Sequence, residues 1–130
     1  MGKETRKQVL IVEEHPLFRK AVAKALMENC PDIRIVIAET REEALSRIGS
    51  MEGLSFVVTD LPTSVPVAKG EAIARAAQEK GIGVIVFSVH VNNLSEDVRR
   101  GCLGVLDKTI SEPADLASVI NQHFAAVLAA

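Results

Sequence analysis

Five short apolar segments, each followed by a stretch with helical spacing, constrain the fold of this 130-residue chain more than any other feature. The segments are rich in Val and Ile and are bounded by Gly, Pro or charged residues, which is typical of strands. Because they are apolar throughout rather than alternating, we expect strands buried on both faces, as in a parallel sheet. The predicted strands cover residues 8–12, 33–38, 54–60, 82–87 and 105–106.

The segments between the strands carry helix start and stop signals. Pro16 suits the first turn of a helix, and Thr40 with Glu43 fits a capping box. Gly49 and Gly53 are expected to close the second helix, and Gly81 the third. Alternating strands and helices predict an α/β, flavodoxin-like, doubly wound (βα)5 domain with a five-stranded parallel sheet. The other predicted helices cover residues 16–29, 70–80, 94–100 and 111 to near the end of the chain.

Composition excludes several classes of protein. A net charge of −2 with mixed signs gives no basic patch for nucleic acid. No apolar run approaches the ~20 residues that a membrane helix needs. Cys30 and Cys102 are too few for a disulfide framework or a zinc site, and they suit a cytosolic setting. We therefore expect a cytoplasmic, soluble single domain over residues 1–130, either alone or as the leading domain of a longer protein.

Polar residues stand at the ends of four predicted strands. In a parallel sheet these ends lie along one edge, so the side chains can converge on one pocket. Carboxylates gathered without a counter-charge would repel each other, and oxygen ligands favour Mg²⁺ or Mn²⁺ as the ion that removes this conflict. The set is typical of metal-assisted phosphoryl transfer to a carboxylate. Its members are Glu13, Glu14, Asp60, Ser88 and Lys108.

The order and placement of these residues resemble the receiver (CheY-like) domain of two-component response regulators. The segment 13–19 (EEHPLFR) is most similar to the NarL/FixJ (LuxR-type) class, in which an acid pair precedes His-Pro-Leu-Phe-Arg. The segment 101–108, which leads into the lysine, also matches, and the resemblance covers essentially the whole chain. No single motif is specific, but five in the family's order and spacing are fairly specific.

The resemblance implies a role for each residue. Asp60 would be the phosphoacceptor, served by a sensor histidine kinase, and Glu13, Glu14 and Asp60 would hold Mg²⁺. Ser88 would turn its hydroxyl toward the phosphoryl group, with Lys108 as its cationic partner. Such a domain is not an enzyme beyond its own phosphorylation and dephosphorylation. In this class, DNA binding belongs to a separate carboxyl-terminal domain, so the domain itself would bind neither nucleic acid nor membrane.

Three positions depart from the family pattern. Glu14 stands where the family usually has Asp, and the extra methylene predicts weaker Mg²⁺ binding, because Mg²⁺ demands near-ideal geometry. The loop 62–70 is about two residues longer than usual and carries Lys69 before its glycine. Val105 replaces the usual switch Tyr or Phe. These departures favour an alternative, in which a degenerate pseudo-receiver acts as a phosphorylation-independent interaction module.

Structural roles compete with the functional ones. Asp60 could cap a turn, and Glu13 with Glu14 could be a solvated pair near a helix start. A flavodoxin-fold binder of a phosphorylated ligand is disfavoured, since no Gly-rich phosphate loop follows any strand. The alanine-rich end, residues 125–130, could form a homodimer or partner surface. His15 is expected to pack over the first helix or to face solvent rather than to ligate a metal, and His90 and His123 have no partners at metal-ligand spacing. Both cysteines are expected to fill core space.

Overall fold

The computed structural model describes residues 7–30, 33–61 and 71–129, with side chains up to residue 123. Five parallel strands form one sheet in the order β2-β1-β3-β4-β5, so β3 is central. This arrangement confirms the predicted five-stranded parallel sheet. The strands are β1 (Lys7–Val12), β2 (Ile33–Ala38), β3 (Leu54–Thr59), β4 (Gly83–Ser88) and β5 (Gly104–Asp107).

Helices cover both faces of the sheet, which confirms the doubly wound architecture. Among the described residues there are five α-helices, and a 3₁₀ turn at Val91–Asn93 precedes the fourth. The helices are α1 (Pro16–Asn29), α2 (Arg41–Ser50), α3 (Ala72–Glu79), α4 (Glu96–Arg100) and α5 (Pro113–Ala129).

Two apolar layers fix the helices to the sheet. On one face, α1 and α5 pack Leu26 and Ile120 against Val58 of β3. On the other face, Ile48 of α2 and Ala77 of α3 belong to one apolar cluster with Val57 of β3. Burying a side chain such as Ile120 completely stabilises the fold by about 1.5–3 kcal/mol. Successive apolar residues of β1, β3 and β4 belong alternately to the two layers, so both faces of these strands are buried, as the sequence predicted.

The capping prediction for α2 is confirmed with one difference. The Thr40 hydroxyl accepts a hydrogen bond from the Glu43 N–H at 3.1 Å, as a capping box requires. The Glu43 carboxylate, however, accepts from the N–H of Glu39 at 3.0 Å rather than from that of Thr40. That bond is the largest cause lowering the pKa of Glu43.

Several predicted boundaries are wrong. Gly49 lies inside α2, which runs to Ser50, because a single glycine costs a helix only about 1 kcal/mol. The fourth helix begins at Glu96 rather than Leu94, since Leu94 and Ser95 have extended backbone. The strand β5 is longer than predicted by one residue at each end. The predicted loop departures at 62–70 lie outside the described residues.

Two glycines have the backbone conformation that ends an element. Gly53 (φ +84°) and Gly81 (φ +75°) adopt the left-handed region, which favours glycine because a Cβ there is strained. Gly81 therefore stops α3 as predicted, and Gly53 turns the chain into β3. None of the helices in the described part of the chain is long and apolar enough to cross a membrane.

Candidate functional site

The carboxyl ends of β1, β3, β4 and β5 bring the predicted site residues to one edge of the sheet. Val12 pairs with Thr59, so the residues that follow them, Glu13 and Asp60, leave neighbouring strands side by side. Ser88 is the last residue of β4 and pairs with Asp107, directly before Lys108. This is the edge at which open α/β sheets bind ligands.

Lys108 joins the two acids. Its Nζ lies 2.7 Å from Oε1 of Glu13 and 3.1 Å from Oδ2 of Asp60. The lysine side chain is only 5% exposed, whereas that of Asp60 is 26% exposed. One buried ammonium therefore balances two carboxylates, and Asp60 is the acid that solvent reaches. The predicted convergence of Glu13, Asp60 and Lys108 is present in the structure.

Further hydrogen bonds orient both carboxylates. Oδ1 of Asp60 accepts from the N–H of Leu61 at 2.7 Å. Oε2 of Glu13 accepts from the N–H of His15 at 3.2 Å, and the Glu13 carbonyl accepts from Arg19 at 3.1 Å. Each carboxylate oxygen of the two acids thus has a donor, which fixes both groups without using all their lone pairs.

Two aromatic rings complete the surroundings of the ammonium. Nζ of Lys108 lies 4.2 Å from the ring centroid of Phe18 and 5.5 Å from that of Phe87. Both distances are within the range of a cation–π contact. The sequence analysis did not include Phe18 or Phe87 among the site residues and missed this contact. The available signal was position, because Phe87 directly precedes Ser88 and Phe18 lies five residues after Glu13.

The backbone around Lys108 is also fixed. Its N–H donates to the carbonyl of Ser88 at 3.0 Å. The carboxylate of Asp107 accepts from the hydroxyl and the N–H of Thr109, at 2.7 and 2.8 Å. Both bonds lower the pKa of Asp107, and the bond from the Thr109 hydroxyl has the larger effect. Lys108 therefore leaves the sheet in a tight turn that begins directly after β5.

Ser88 lies at the same edge but has a different partner. Its side chain is fully buried, and its Oγ accepts a hydrogen bond from the N–H of His90 at 3.0 Å. Among the described residues, Ser88 makes no side-chain hydrogen bond with Asp60 or Lys108. Val105 is half-buried and packs against the apolar cluster under α2 and α3. A partly buried valine that packs in the core therefore stands where the family usually has a Tyr or Phe ring.

The proposed metal ligands fit a divalent cation in part. Glu13 and Asp60 already share one cation, the ammonium of Lys108, so the two carboxylates are close enough to share another. Their oxygens are the hard donors that Mg²⁺ prefers. Glu14 is exposed, and no three acidic, histidine or cysteine residues in the described segments form a metal-binding group. The assignment of Glu13, Glu14 and Asp60 as a metal site stays a prediction.

A second acid–cation cluster links α3 to α4, and the sequence analysis did not predict it. Glu71 is 1% exposed, and its carboxylate accepts from the N–H and, at 2.7 Å, the hydroxyl of Ser95. Arg75 contacts Glu71 at 3.3 Å and Asp97 at 3.0 Å. The hydrogen bond to Asp97 raises the pKa of Arg75 and, from the other side, lowers that of Asp97.

Both cysteines and two of the histidines pack against neighbouring groups of the protein. Cys30 is buried against α5, with Sγ 3.8 Å from the carbonyl of Ala117, and burial raises its pKa. Burial also raises the pKa of Cys102, to about 11. The ring of His15 packs edge-on to Phe18 at 5.4 Å, and that of His123 edge-on to Phe56 at 5.3 Å.

Comparison with known proteins supports the fold. No family model matches the chain. The glycerol metabolism activator of Pseudomonas putida is 23% identical over 117 residues, which is 88% of this chain but 52% of that protein. The chain therefore spans about half the length of this relative.

Several solved structures match the fold over most of the chain. A CheY-like response regulator receiver domain protein from Methanospirillum hungatei has a TM-score of 0.70 at 19% identity, covering 92% of this chain and 94% of its own. A response regulator from Thermotoga maritima in complex with Mg²⁺ and BeF has a TM-score of 0.72 at 21% identity, covering 89% and 97%. A response regulator receiver protein from Pseudomonas putida scores 0.72 at 22% identity, covering 91% and 98%.

These matches define the class of the structure. The chain has the CheY-like, flavodoxin-like fold of response regulator receiver domains, with the predicted acids and lysine at the sheet edge. The resemblance to receiver domains is confirmed at the level of the fold. Membership of the NarL/FixJ class stays a prediction.

Proposed function

We propose that this chain is a receiver domain that accepts a phosphoryl group on Asp60 from a sensor histidine kinase in two-component signal transduction. The observation that carries the proposal is the contact of the buried Lys108 ammonium with both Asp60 and Glu13, at 3.1 and 2.7 Å. A receiver fold supplies the context, because this contact lies where the fold's strands end.

Asp60 suits the role of nucleophile. Its carboxylate is partly exposed, so a phosphodonor can approach, and the Leu61 N–H holds Oδ1 at 2.7 Å. In the transfer, a carboxylate oxygen forms the new bond to phosphorus while the bond from phosphorus to the donor's leaving group breaks. The leaving histidine nitrogen of a kinase takes up a proton, whereas acetate leaves acetyl phosphate as the anion, and an acyl phosphate remains on Asp60. Positioning and charge neutralisation provide most of the catalysis in such transfers.

Lys108 and Ser88 would interact with the negative charge of a phosphoryl group on Asp60. A phosphoryl group brings roughly −1.5 to −2 charge, and the ammonium of Lys108 is the nearest buried cation to Asp60 in the described structure. The Ser88 hydroxyl would donate to a phosphoryl oxygen after leaving the N–H of His90. That exchange would release the segment after β4, which gives a route from phosphorylation to a change at α4.

Mg²⁺ is the proposed cofactor, and its residues would be Glu13, Glu14 and Asp60. When bound, the ion would neutralise charge on the transferred phosphoryl group. The sharing of one cation by Glu13 and Asp60 supports the assignment, and the exposure of Glu14 supports the weaker binding predicted for a glutamate at that position.

The proposal also includes a cytoplasmic location and regulation of transcription through a further domain. The name of the relative, glycerol metabolism activator, supports a role in regulation.

The test is the intact mass of the protein after incubation with acetyl phosphate, with and without Mg²⁺. We expect one phosphoryl adduct that requires Mg²⁺ and is lost in Asp60→Asn. Asp97→Asn is the matched control, because it removes an aspartate of the second cluster and should keep the adduct. An adduct that persists in Asp60→Asn would contradict the assignment.

A phosphorylation-independent interaction module is the second candidate. Its specific support is the exposed Glu14, which takes no part in the Glu13–Lys108–Asp60 contacts. The same mass measurement separates the two functions. A folded protein that gains no adduct from acetyl phosphate or from a phosphorylated histidine kinase domain, and that binds no Mg²⁺, would act by binding alone.

A further inference from the structure

We propose that Phe18 is a positioning residue for Lys108, and that its ring, with that of Phe87, holds the ammonium against Glu13 and Asp60. This inference rests on the proposed function, because the ammonium is held where a phosphoryl group on Asp60 would meet it. Phe18 lies on α1, outside the set of polar residues that the sequence placed at the site.

The geometry around Nζ carries the proposal. Two of the ammonium's three N–H donors are directed to carboxylates, at 2.7 and 3.1 Å. The ring centroid of Phe18 is 4.2 Å away and that of Phe87 is 5.5 Å away. An aromatic face attracts a cation through its quadrupole, and the attraction grows when water is excluded. The 5% exposure of the Lys108 side chain meets that condition.

The rings are themselves held in place. Phe18 and Phe87 are in edge contact, with centroids 6.3 Å apart and ring planes at 78°. The ring of His15 packs edge-on against Phe18 at 5.4 Å. Phe87 is buried in the apolar layer under α1 and α5. Each phenylalanine ring therefore has an aromatic neighbour that limits its rotation, and together they present a fixed wall to the ammonium.

A fixed wall matters because lysine is flexible. Its four-carbon stem carries a strongly hydrated point charge and does not position itself as a guanidinium fork does. Without the Phe18 ring, water could reach the ammonium and other rotamers would open. The lysine would then spend less time within reach of Asp60, and phosphoryl transfer would slow because an electrostatic contact works only when it is preorganised.

Two substitutions separate the ring's attraction for the cation from its volume. Phe18→Leu keeps an apolar side chain but removes the aromatic face, and Phe18→Tyr keeps the face. We expect Phe18→Leu to lower the rate of phosphorylation by acetyl phosphate roughly three- to tenfold, the range that corresponds to a partly desolvated cation–π contact. Phe18→Tyr should stay near the wild-type rate. Phe56→Leu is the control for general loosening, since Phe56 is a buried phenylalanine at the opposite end of β3.

A second readout does not depend on phosphorylation. A lysine ammonium shielded from water gives a ¹H–¹⁵N NMR signal because its protons exchange slowly, and Lys108→Met identifies the signal. We expect the signal in wild type and Phe18→Tyr and its loss in Phe18→Leu. A Phe18→Leu protein with the wild-type rate and an intact ammonium signal would overturn the inference, as would equal slowing by Phe56→Leu. If wild type gains no adduct, the proposed function fails, and the NMR signal alone decides the role of Phe18.

Discussion

Two clusters in this molecule have the same charges but different surroundings. In the site cluster, Lys108 is shared by Glu13 and Asp60, and the cation itself is buried at 5% exposure. In the α3–α4 cluster, Arg75 is shared by Glu71 and Asp97, and the cation is 44% exposed while Glu71 is 1% exposed. Each cluster therefore joins a buried acid to a more exposed acid through one cation.

The difference lies in which group is left accessible. The site cluster buries its cation beside two aromatic rings and leaves Asp60 partly exposed, so a reagent can reach an acid held next to a positive charge. The α3–α4 cluster directs its buried acid to the N–H and hydroxyl of Ser95, which join two helices. We infer that the first arrangement serves chemistry and the second serves stability. Substitutions in the two clusters should therefore affect different measurements.

The largest expected effect is on phosphorylation. Lys108→Met removes the cation that would meet the phosphoryl group, and we expect the rate with acetyl phosphate to fall roughly a hundredfold, as when a preorganised electrostatic donor is lost. Arg75→Met makes the same change in the α3–α4 cluster and should leave that rate within about twofold. Equal losses in both variants would remove the distinction between the clusters.

The next effect is on stability. Glu71→Ala removes a buried carboxylate and leaves the N–H and hydroxyl of the partly buried Ser95 without their acceptor, and we expect the free energy of unfolding to fall by about 2–4 kcal/mol. Urea denaturation followed by circular dichroism measures it. Asp60→Asn is the comparison, because it leaves the Glu13–Lys108 pair balanced and should cost little. A Glu71→Ala protein as stable as wild type would show that the cluster does not join α3 to α4.

A thiol beside the α3–α4 cluster reports on its closure. Burial, the largest cause, raises the pKa of Cys102 to about 11, and the charge of Glu71 adds to this. Reactivity follows the thiolate, so alkylation by iodoacetamide at pH 8 should be roughly a hundredfold slower for folded Cys102 than for the same thiol in urea. The measurement is made in Cys30→Ser, which leaves Cys102 as the single thiol. Rapid alkylation of the folded protein would indicate an open cluster.

The smallest effect concerns Asp97 and pH. The pKa of Asp97 lies below the ordinary value of 3.8, and the largest cause is the hydrogen bond from Arg75. An acid with a depressed folded-state pKa stabilises the protein above its unfolded-state pKa, and this contribution is lost as the pH falls through the folded-state value. Asp97→Asn should therefore lower Tm by a few degrees or less at pH 7 and by less at pH 2. A difference of the same size at both values would contradict the ion pair.

The fold and the acids and lysine of the site could be predicted because both depend on local patterns. Continuous apolar strands and strand-end polar residues such as Asp60 and Lys108 are visible in the sequence, and the parallel topology brings those ends together. The contact of Lys108 with Phe18 could not be predicted, because it depends on the rotation of α1 over the sheet. Glu71 was also missed, since an acid near a helix start usually faces solvent, and its partner Ser95 lies 24 residues away.

The most direct test of the central claim is to identify the residue that carries the phosphoryl group. Borohydride reduces an acyl phosphate to an alcohol, so phosphorylated aspartate becomes homoserine, and peptide mass spectrometry locates the change. After treatment with acetyl phosphate, we predict homoserine at position 60 in wild type and in Asp97→Asn. Reduction at Glu13, Asp97 or another acid, with residue 60 unchanged, would contradict the assignment of Asp60 as phosphoacceptor.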